Sequence, residues 1–231
     1  MAALREELRG LAERTHAALS QSHDYFTYTK RVWRLLQDDV NGGRPIDFRN
    51  PLTKSRMNQQ GFVRRTELYV ANYLTTATFQ HFVSLFEDFF FDLLRLWLTA
   101  HPGILLKKPV ELGTVLKLGD THAVVMSVVD RELNEVKYDR IGEWFTYLDR
   151  LVKLGCPTPE QIERLAEIKA ARDILVHNKG VVNATYLAKA GRQARYQDGE
   201  RLEVPEPYHR SAWELIGNVV RELSEAAILK A

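Results

Sequence analysis

Leu4, Leu8, Leu11 and Leu19 recur at helical intervals through the first twenty residues, and Phe26, Val32, Trp33 and Leu36 continue a second apolar pattern. The spacing predicts one or two amphipathic helices at the start of the chain. Between Asn41 and Phe62 the period breaks at Asn41-Gly42-Gly43, Pro45, Asn50-Pro51 and Gly61, all of them turn signals, so this stretch reads as a long connection. From Glu67 to Thr99 the pattern is clean. Phe82, Leu85, Phe86, Phe89, Phe90, Leu93, Leu94 and Trp97 mark one helical face, and His101-Pro102-Gly103 ends it, because proline lacks the amide proton and glycine tolerates a left-handed cap.

Two more helices are expected near Asp120–Val136 and Arg140–Leu154, although Val124-Val125 leaves the first open to a strand reading. Thr158 as N-cap, Pro159 at the first helical position and Gln161 three residues after the cap predict a capped helix running to about His177, with Gly180 at its left-handed end. Asp198-Gly199 sits between short alternating runs, Ala194 to Val204, and predicts a small β-hairpin. A final helix follows at about Ser211–Leu229, with Trp213, Ile216, Val220, Leu223 and Ala227 on one face. The expected architecture is an all-α bundle with that hairpin before the last helix. Residues 1–66 form N-terminal helices and a connecting segment, residues 67–231 the main helical domain, together one compact unit.

Composition narrows the class. With 45% hydrophobic and 27% charged residues, the 231-residue chain has neither collagen-like nor disordered character. A net charge of +2 is too small to announce a polyanion partner, so any such site must be local. Cys156 is the single cysteine, which rules out an intrachain disulfide or a cysteine metal cage and suits a reducing cytoplasm. The amino terminus alternates charged and apolar residues, unlike a signal peptide. Glu87, Asp88, Asp92 and Arg95 interrupt the most apolar window, which argues against a membrane span.

The sequence has no P-loop, no dinucleotide-binding glycine pattern, no His-Glu-x-x-His and no Gly-x-Ser-x-Gly, and its histidines lack metal-ligand spacing. No metal and no cofactor are expected. The informative stretch is Ala171 to Gly180, Ala-Arg-Asp-Ile-Leu-Val-His-Asn-Lys-Gly. Arg172 and His177 are five residues apart at a helix end, where a long side chain and a frayed last turn permit both to reach one cavity. Asp173 and His177 are i and i+4 and can meet directly. An imidazole transfers protons near neutral pH, and a guanidinium binds a phosphate whose charge grows during reaction, a pairing suited to RNA transesterification. Against this stands a structural alternative in which Arg172 pairs with Glu163 or Glu167 and His177 caps the last carbonyls.

Arg172-Asp-Ile-Leu-Val-His177-Asn-Lys-Gly180-Val-Val-Asn183 resembles the signature of the HEPN superfamily, and the Asn-x-Gly-x-x-Asn that follows is similar to its RiboL-PSP-HEPN branch. The resemblance extends more weakly to the Phe-rich helix and the closing helix. It implies an all-α HEPN-type bundle that dimerises through its motif helices, so that two Arg-His sets line one cleft. It also implies a metal-independent endoribonuclease of toxin-antitoxin or antiviral defence systems, with an antitoxin or defence protein as partner. Arg172 would bind the scissile phosphate and His177 would transfer a proton as the ribose 2′-hydroxyl attacks, leaving a 2′,3′-cyclic phosphate and a 5′-hydroxyl. Asp173, often Asn in relatives, either orients His177 or partly repels RNA, and with Asn178 it counts as a supporting residue. One branch carries a modified tyrosine two residues after the histidine; that position is Lys179 here, which counts instead among the RNA-binding cations.

Glu87, beside the apolar stripe of the central helix, either contacts Arg172 in the cleft or faces solvent. Residues 44–65 carry Arg44, Arg49, Lys54, Arg56, Arg64 and Arg65 against Asp47 alone, a local +5 that either tracks RNA, with Phe48 and Phe62 stacking a base, or is a solvated loop. Two other functions stay open: a non-catalytic HEPN-like module that binds nucleic acid or protein, and a structural helical adaptor whose Phe-rich helix is the interface.

Overall fold

A computed structural model describes residues 2–45, 47–50 and 52–231; Met1, Ile46 and Pro51, and with Pro51 half of the expected Asn50-Pro51 turn, lie outside the described residues. The fold is all-α. Helix α1, Ala2–Asn41, is one unbroken rod of 40 residues that buries Leu4, Leu8, Leu11, Leu19 and Phe26 on one face. Helix α2, Gln59–Leu68, runs through a π-helical turn, Tyr69–Leu74, into α3, Thr75–Ala100. The expected connection is therefore shorter than its turn signals imply, because Gly61 belongs to the first turn of α2. Its amide donates to Asn58 Oδ1, the N-cap, and a Cβ on Gly61 would lie 2.9 Å from that oxygen.

A short α4, Leu112–Leu118, ends at Gly119 in the left-handed region, and α5, Thr121–Lys137, starts at Asp120, whose carboxylate accepts from Ala123 N. That cap settles the helix-or-strand ambiguity. Helices α6, Ile141–Leu151, and α7, Pro159–His177, follow, the latter with the expected capping box. Asn183 caps a short α8, Ala184–Ala190, which the apolar pattern does not foreshadow, and α9, Glu206–Lys230, closes the chain.

The predicted β-hairpin does not form: among the described residues there are only two isolated bridges and no strand pair. Asp198-Gly199 does turn, with Gly199 at positive φ, but its downstream arm pairs elsewhere. Val182 N donates to Glu200 O (2.9 Å), Gly199 N to Val182 O (3.0 Å) and Leu202 N to Gly180 O (2.8 Å). The chain leaving α7 offers unpaired backbone groups, and residues 199–202 satisfy them in place of the upstream arm.

Phe79, Phe82, Phe86, Phe89, Phe90, Leu93 and Leu94 of α3 are all essentially inaccessible and pack against α1, α7 and α9. Each such side chain contributes roughly 1.5–3 kcal/mol by burial. Trp144 of α6 stacks on Phe90 at 5.4 Å. No helix of the described residues is long and apolar enough to cross a membrane.

One polar group sits in this core. His209 of α9 is fully buried between Phe26 and Phe82, and its Nε2 lies 2.8 Å from Thr78 Oγ1. The Thr78 hydroxyl donates to Leu74 O, so Nε2 carries the proton and donates, while Nδ1 has no partner among the described residues. Burial above all, and then the charge of His23, push the imidazole down to about 4 from its ordinary value near 6.5. The sign follows: the neutral form is favoured in the fold, so stability is full above pH 6.5 and falls as pH drops toward 4. Between pH 7 and pH 4.5 the native protein should lose about 2 kcal/mol more than His209→Leu, as read by urea unfolding at the two pH values. Equal losses in the two proteins would show that His209 does not set this slope.

Candidate active site

The carboxy-terminal half of α7 lies against the middle of α3 and beside α8, and a cleft of about 750 Å³ opens where they meet α5 and α6. Lys169, Arg172 and Asp173 fall at i, i+3 and i+4 and share one side of α7. Arg172 and His177 both line this cleft. So do Glu87, Asp173 and Asn178 from the sequence-derived set.

Arg172 is held from two sides. One terminal nitrogen donates to Glu87 of α3 in a close ion pair, and Nη1 donates to Asp173 Oδ1 at 3.1 Å. Lys169 reaches both carboxylates, at 3.2 Å each, and Lys189 of α8 reaches Asp173 at 3.0 Å. Glu87, Lys169, Arg172 and Asp173 are only 15–17% exposed, so water screens these contacts little. Burial raises the Asp173 carboxyl, but the fields of Lys169, Lys189 and Arg172 together outweigh it and hold the group below its usual range. Arg172 Nε and Trp144 Nε1, buried donors on two lining residues, have no acceptor among the described residues. The lining carries four cations, Lys137, Lys169, Arg172 and Lys189, against Glu87, Asp139 and Asp173.

Glu87 thus meets Arg172, the first of its two readings. Arg172 does not pair with Glu163 or Glu167. Glu163 holds Arg192, and Glu167 is buried under Tyr186, Arg195 and Tyr208. The i,i+4 contact between Asp173 and His177 is also absent, because three cations already occupy that carboxylate. His177 ends α7 as an exposed side chain without a hydrogen bond to another described residue, and it does not cap the helix carbonyls. The helix closes by backbone bonds instead: Asn178 N and Gly180 N both donate to Ile174 O at 3.0 Å. Lys179 adopts the left-handed conformation along with Gly180, at a cost of roughly 1 kcal/mol for a residue bearing a Cβ. Its exposed side chain does not line the cleft. Asn178 Nδ2 donates to Val181 O and shapes the turn.

The basic segment lies apart. Arg49 and Arg56 flank Asp47 at 3.2 and 3.1 Å, and Arg44 pairs with Asp39 at 3.0 Å. Phe62 is buried and stacks on Phe48 at 5.2 Å, so it is closed to an RNA base. Lys54, Arg64 and Arg65 are exposed without a carboxylate partner among the described residues. Arg65 and Glu87 stand on one continuous helical rod about 30 Å apart, so within one chain the segment and the cleft do not form a single surface.

No local pattern marks Lys189, Lys137 or Trp144 as cleft residues, whereas Lys169 stands three residues before Arg172 and four before Asp173, a spacing that does signal it. The others arrive from α5, α6 and α8 by tertiary packing that spacing does not reveal. Among the described residues no group of three or more His, Cys, Asp and Glu gathers in metal-binding geometry. Compared with protein-family models, with curated proteins and with solved structures, the chain finds no match in any of the three.

Proposed function

We propose that this chain is a HEPN-type endoribonuclease that cleaves RNA without a metal ion, acting from the cleft at the end of α7. The observation that carries the reading is that Arg172 and His177, on one helix end, face one cleft of nucleotide size. The phosphate of a single strand takes Arg172. When the guanidinium turns to it, Asp173 keeps Lys169 and Lys189, and Glu87 keeps Lys169, so no buried carboxylate is left unpaired. The ribose 2′-oxygen then bonds to phosphorus and the bond to the 5′-oxygen breaks. The 2′-hydroxyl proton is removed and the 5′-oxygen is protonated, giving a 2′,3′-cyclic phosphate and a 5′-hydroxyl.

One imidazole per cleft serves one of those two transfers, and a second copy docked through its motif helix supplies the other. Val176 and Val181, 50% and 40% exposed beside His177, are apolar surface for that contact. The setting is toxin-antitoxin or antiviral defence, with an antitoxin or defence protein as partner.

A second reading has one observation in its favour: both terminal nitrogens of Arg172 are already bound by carboxylates, as in a binding module or a structural cluster. Purified protein in EDTA with mixed single-stranded RNA decides. Cleavage to cyclic-phosphate ends, lost in Arg172→Ala and His177→Ala, is expected. RNA that is bound but intact, with binding lost in Arg172→Ala, selects the non-catalytic module. Intact RNA and no difference among the three proteins leaves a structural adaptor.

A further inference from the structure

We propose that the outward face of α1 pairs with the same face of a second copy of this chain as a short antiparallel coiled coil. Tyr25, Tyr28, Val32 and Leu35 are 61%, 69%, 55% and 49% exposed. Their spacing, i, i+3, i+7 and i+10, is the repeat of a helix seam. The bundle takes a different stripe of the same helix, Leu19, Ser22 and Phe26, with Trp33 against Phe62 and Tyr69. At 100° per residue the two stripes are about 130° apart, and the outward one stays exposed among the described residues. Single exposed apolar side chains are ordinary, but four in one heptad register make a patch.

The flanking charges choose the occupant and its direction. Asp24 and Arg31 are exposed and one heptad apart on the same edge of the seam. If Tyr25 of one copy faces Tyr28 of the other, antiparallel, the two-fold sets Asp24 against Arg31 twice. Val32 then lies against Gln21 and Leu35 against Ala18. Shifting the register so that Tyr28 meets Val32 sets Arg31 against itself and Asp24 against Asp38, which is repulsive. A parallel pair leaves Asp24 and Arg31 facing Thr29 and Leu36, with no charge to meet. One arginine between two aspartates is also a poor surface for RNA or anionic lipid.

The contact runs from Ala18 to Leu35, about 27 Å of helix, and falls short of the roughly 800 Å² per partner of a stable interface. Association is therefore expected in the micromolar range and above. It lies on α1 rather than on the cleft-bearing α7 and does not depend on the ribonuclease reading.

Light scattering and sedimentation of the full chain from about 1 μM to about 1 mM should show the mass doubling with concentration. Combined Tyr28→Glu and Val32→Glu should halve the mass at the top of the range while leaving the helical circular dichroism unchanged. Asp24→Arg alone should weaken association about tenfold, and adding Arg31→Asp should restore it. In a Cys156→Ser background, Tyr25→Cys and Tyr28→Cys chains should cross-link to each other faster than either does to itself. A mass independent of concentration, a mass at the top of the range that the two glutamates leave unchanged, charge reversal without recovery, or faster self-linking would each overturn the proposal, whereas a dimer through α7 would survive the glutamates and give no preference in the α1 cross-linking.

Discussion

His177→Ala is expected to slow RNA cleavage by about 10²–10⁴-fold while leaving RNA affinity within about threefold, and free imidazole should restore part of the rate. The size of the effect separates the two roles open to this side chain. A histidine that only closed a helix end would contribute about 1 kcal/mol of stability or less, and its loss would leave the turnover of folded protein nearly unchanged. His177 is exposed, at the mouth of the cleft, with no hydrogen bond to another described residue, so truncation should leave the fold intact. Arg172→Ala should behave differently. It leaves Glu87 to Lys169 alone and Asp173 to Lys169 and Lys189 in a site only 15–17% exposed, so affinity and rate should fall together, and stability should drop in part because one of the cations balancing those carboxylates is gone. Arg172→Lys keeps the charge and loses the planar fork, so it should recover stability but not rate. A rate loss in His177→Ala below about fivefold, or no rescue by imidazole, would remove the imidazole from the reaction.

The elements most legible in the sequence were those with a local cause. The capping box at Thr158 and Gln161, the stop of α3 before Pro102 and the Phe-rich stripe each depend on neighbours within a turn or two, and the fold contains all three, although Gly103 lies in a 3-10 turn at negative φ rather than at a left-handed cap. Asp198-Gly199 shows the limit of that kind of reading. The turn is local and forms, but which backbone its arms pair with depends on where the chain after α7 lies. The same division holds in the cleft. The motif places Arg172 and His177 on one helix end, whereas the partner of Asp173 stays open in the sequence, because i,i+4 spacing offers His177 and Lys169 equally and only the position of α8 adds Lys189. The basic run at 44–65 is a true compositional feature, yet Phe62 is buried under Phe48 and its distance from the cleft is set by the length of α2 and α3, which charge counting does not see.

Glu167→Ala should destabilise the protein by about 3–5 kcal/mol, the largest loss expected of a single polar substitution here. Glu167 is 4% exposed in the middle of α7 and accepts from Tyr186 Oη at 2.9 Å, Tyr208 Oη at 2.7 Å and Arg195 Nε at 3.0 Å. The Arg195 guanidinium lies 3.3 Å from the centre of the Tyr208 ring, and its backbone N donates to Tyr186 Oη. Removing the carboxylate strands a largely buried guanidinium and two phenols together, whereas Glu167→Gln keeps an acceptor and should cost less. Arg195→Met added to Glu167→Gln removes the stranded charge and should recover part of the loss, so the two changes should not add. Burial first, and then the Glu167 charge, push both phenols well above their ordinary value. Their stabilisation is present below pH 10 and lost as pH rises beyond it, so the native protein should weaken on the alkaline side more steeply than Tyr208→Phe. Chemical unfolding at pH 7 and pH 10.5 measures both effects. The cluster ties α7 to α8, which carries Lys189, so Glu167→Gln should also change RNA affinity where Glu163→Gln, on the exposed Arg192 pair, does not. A cost below about 1 kcal/mol for Glu167→Ala would mean that these contacts only fill space.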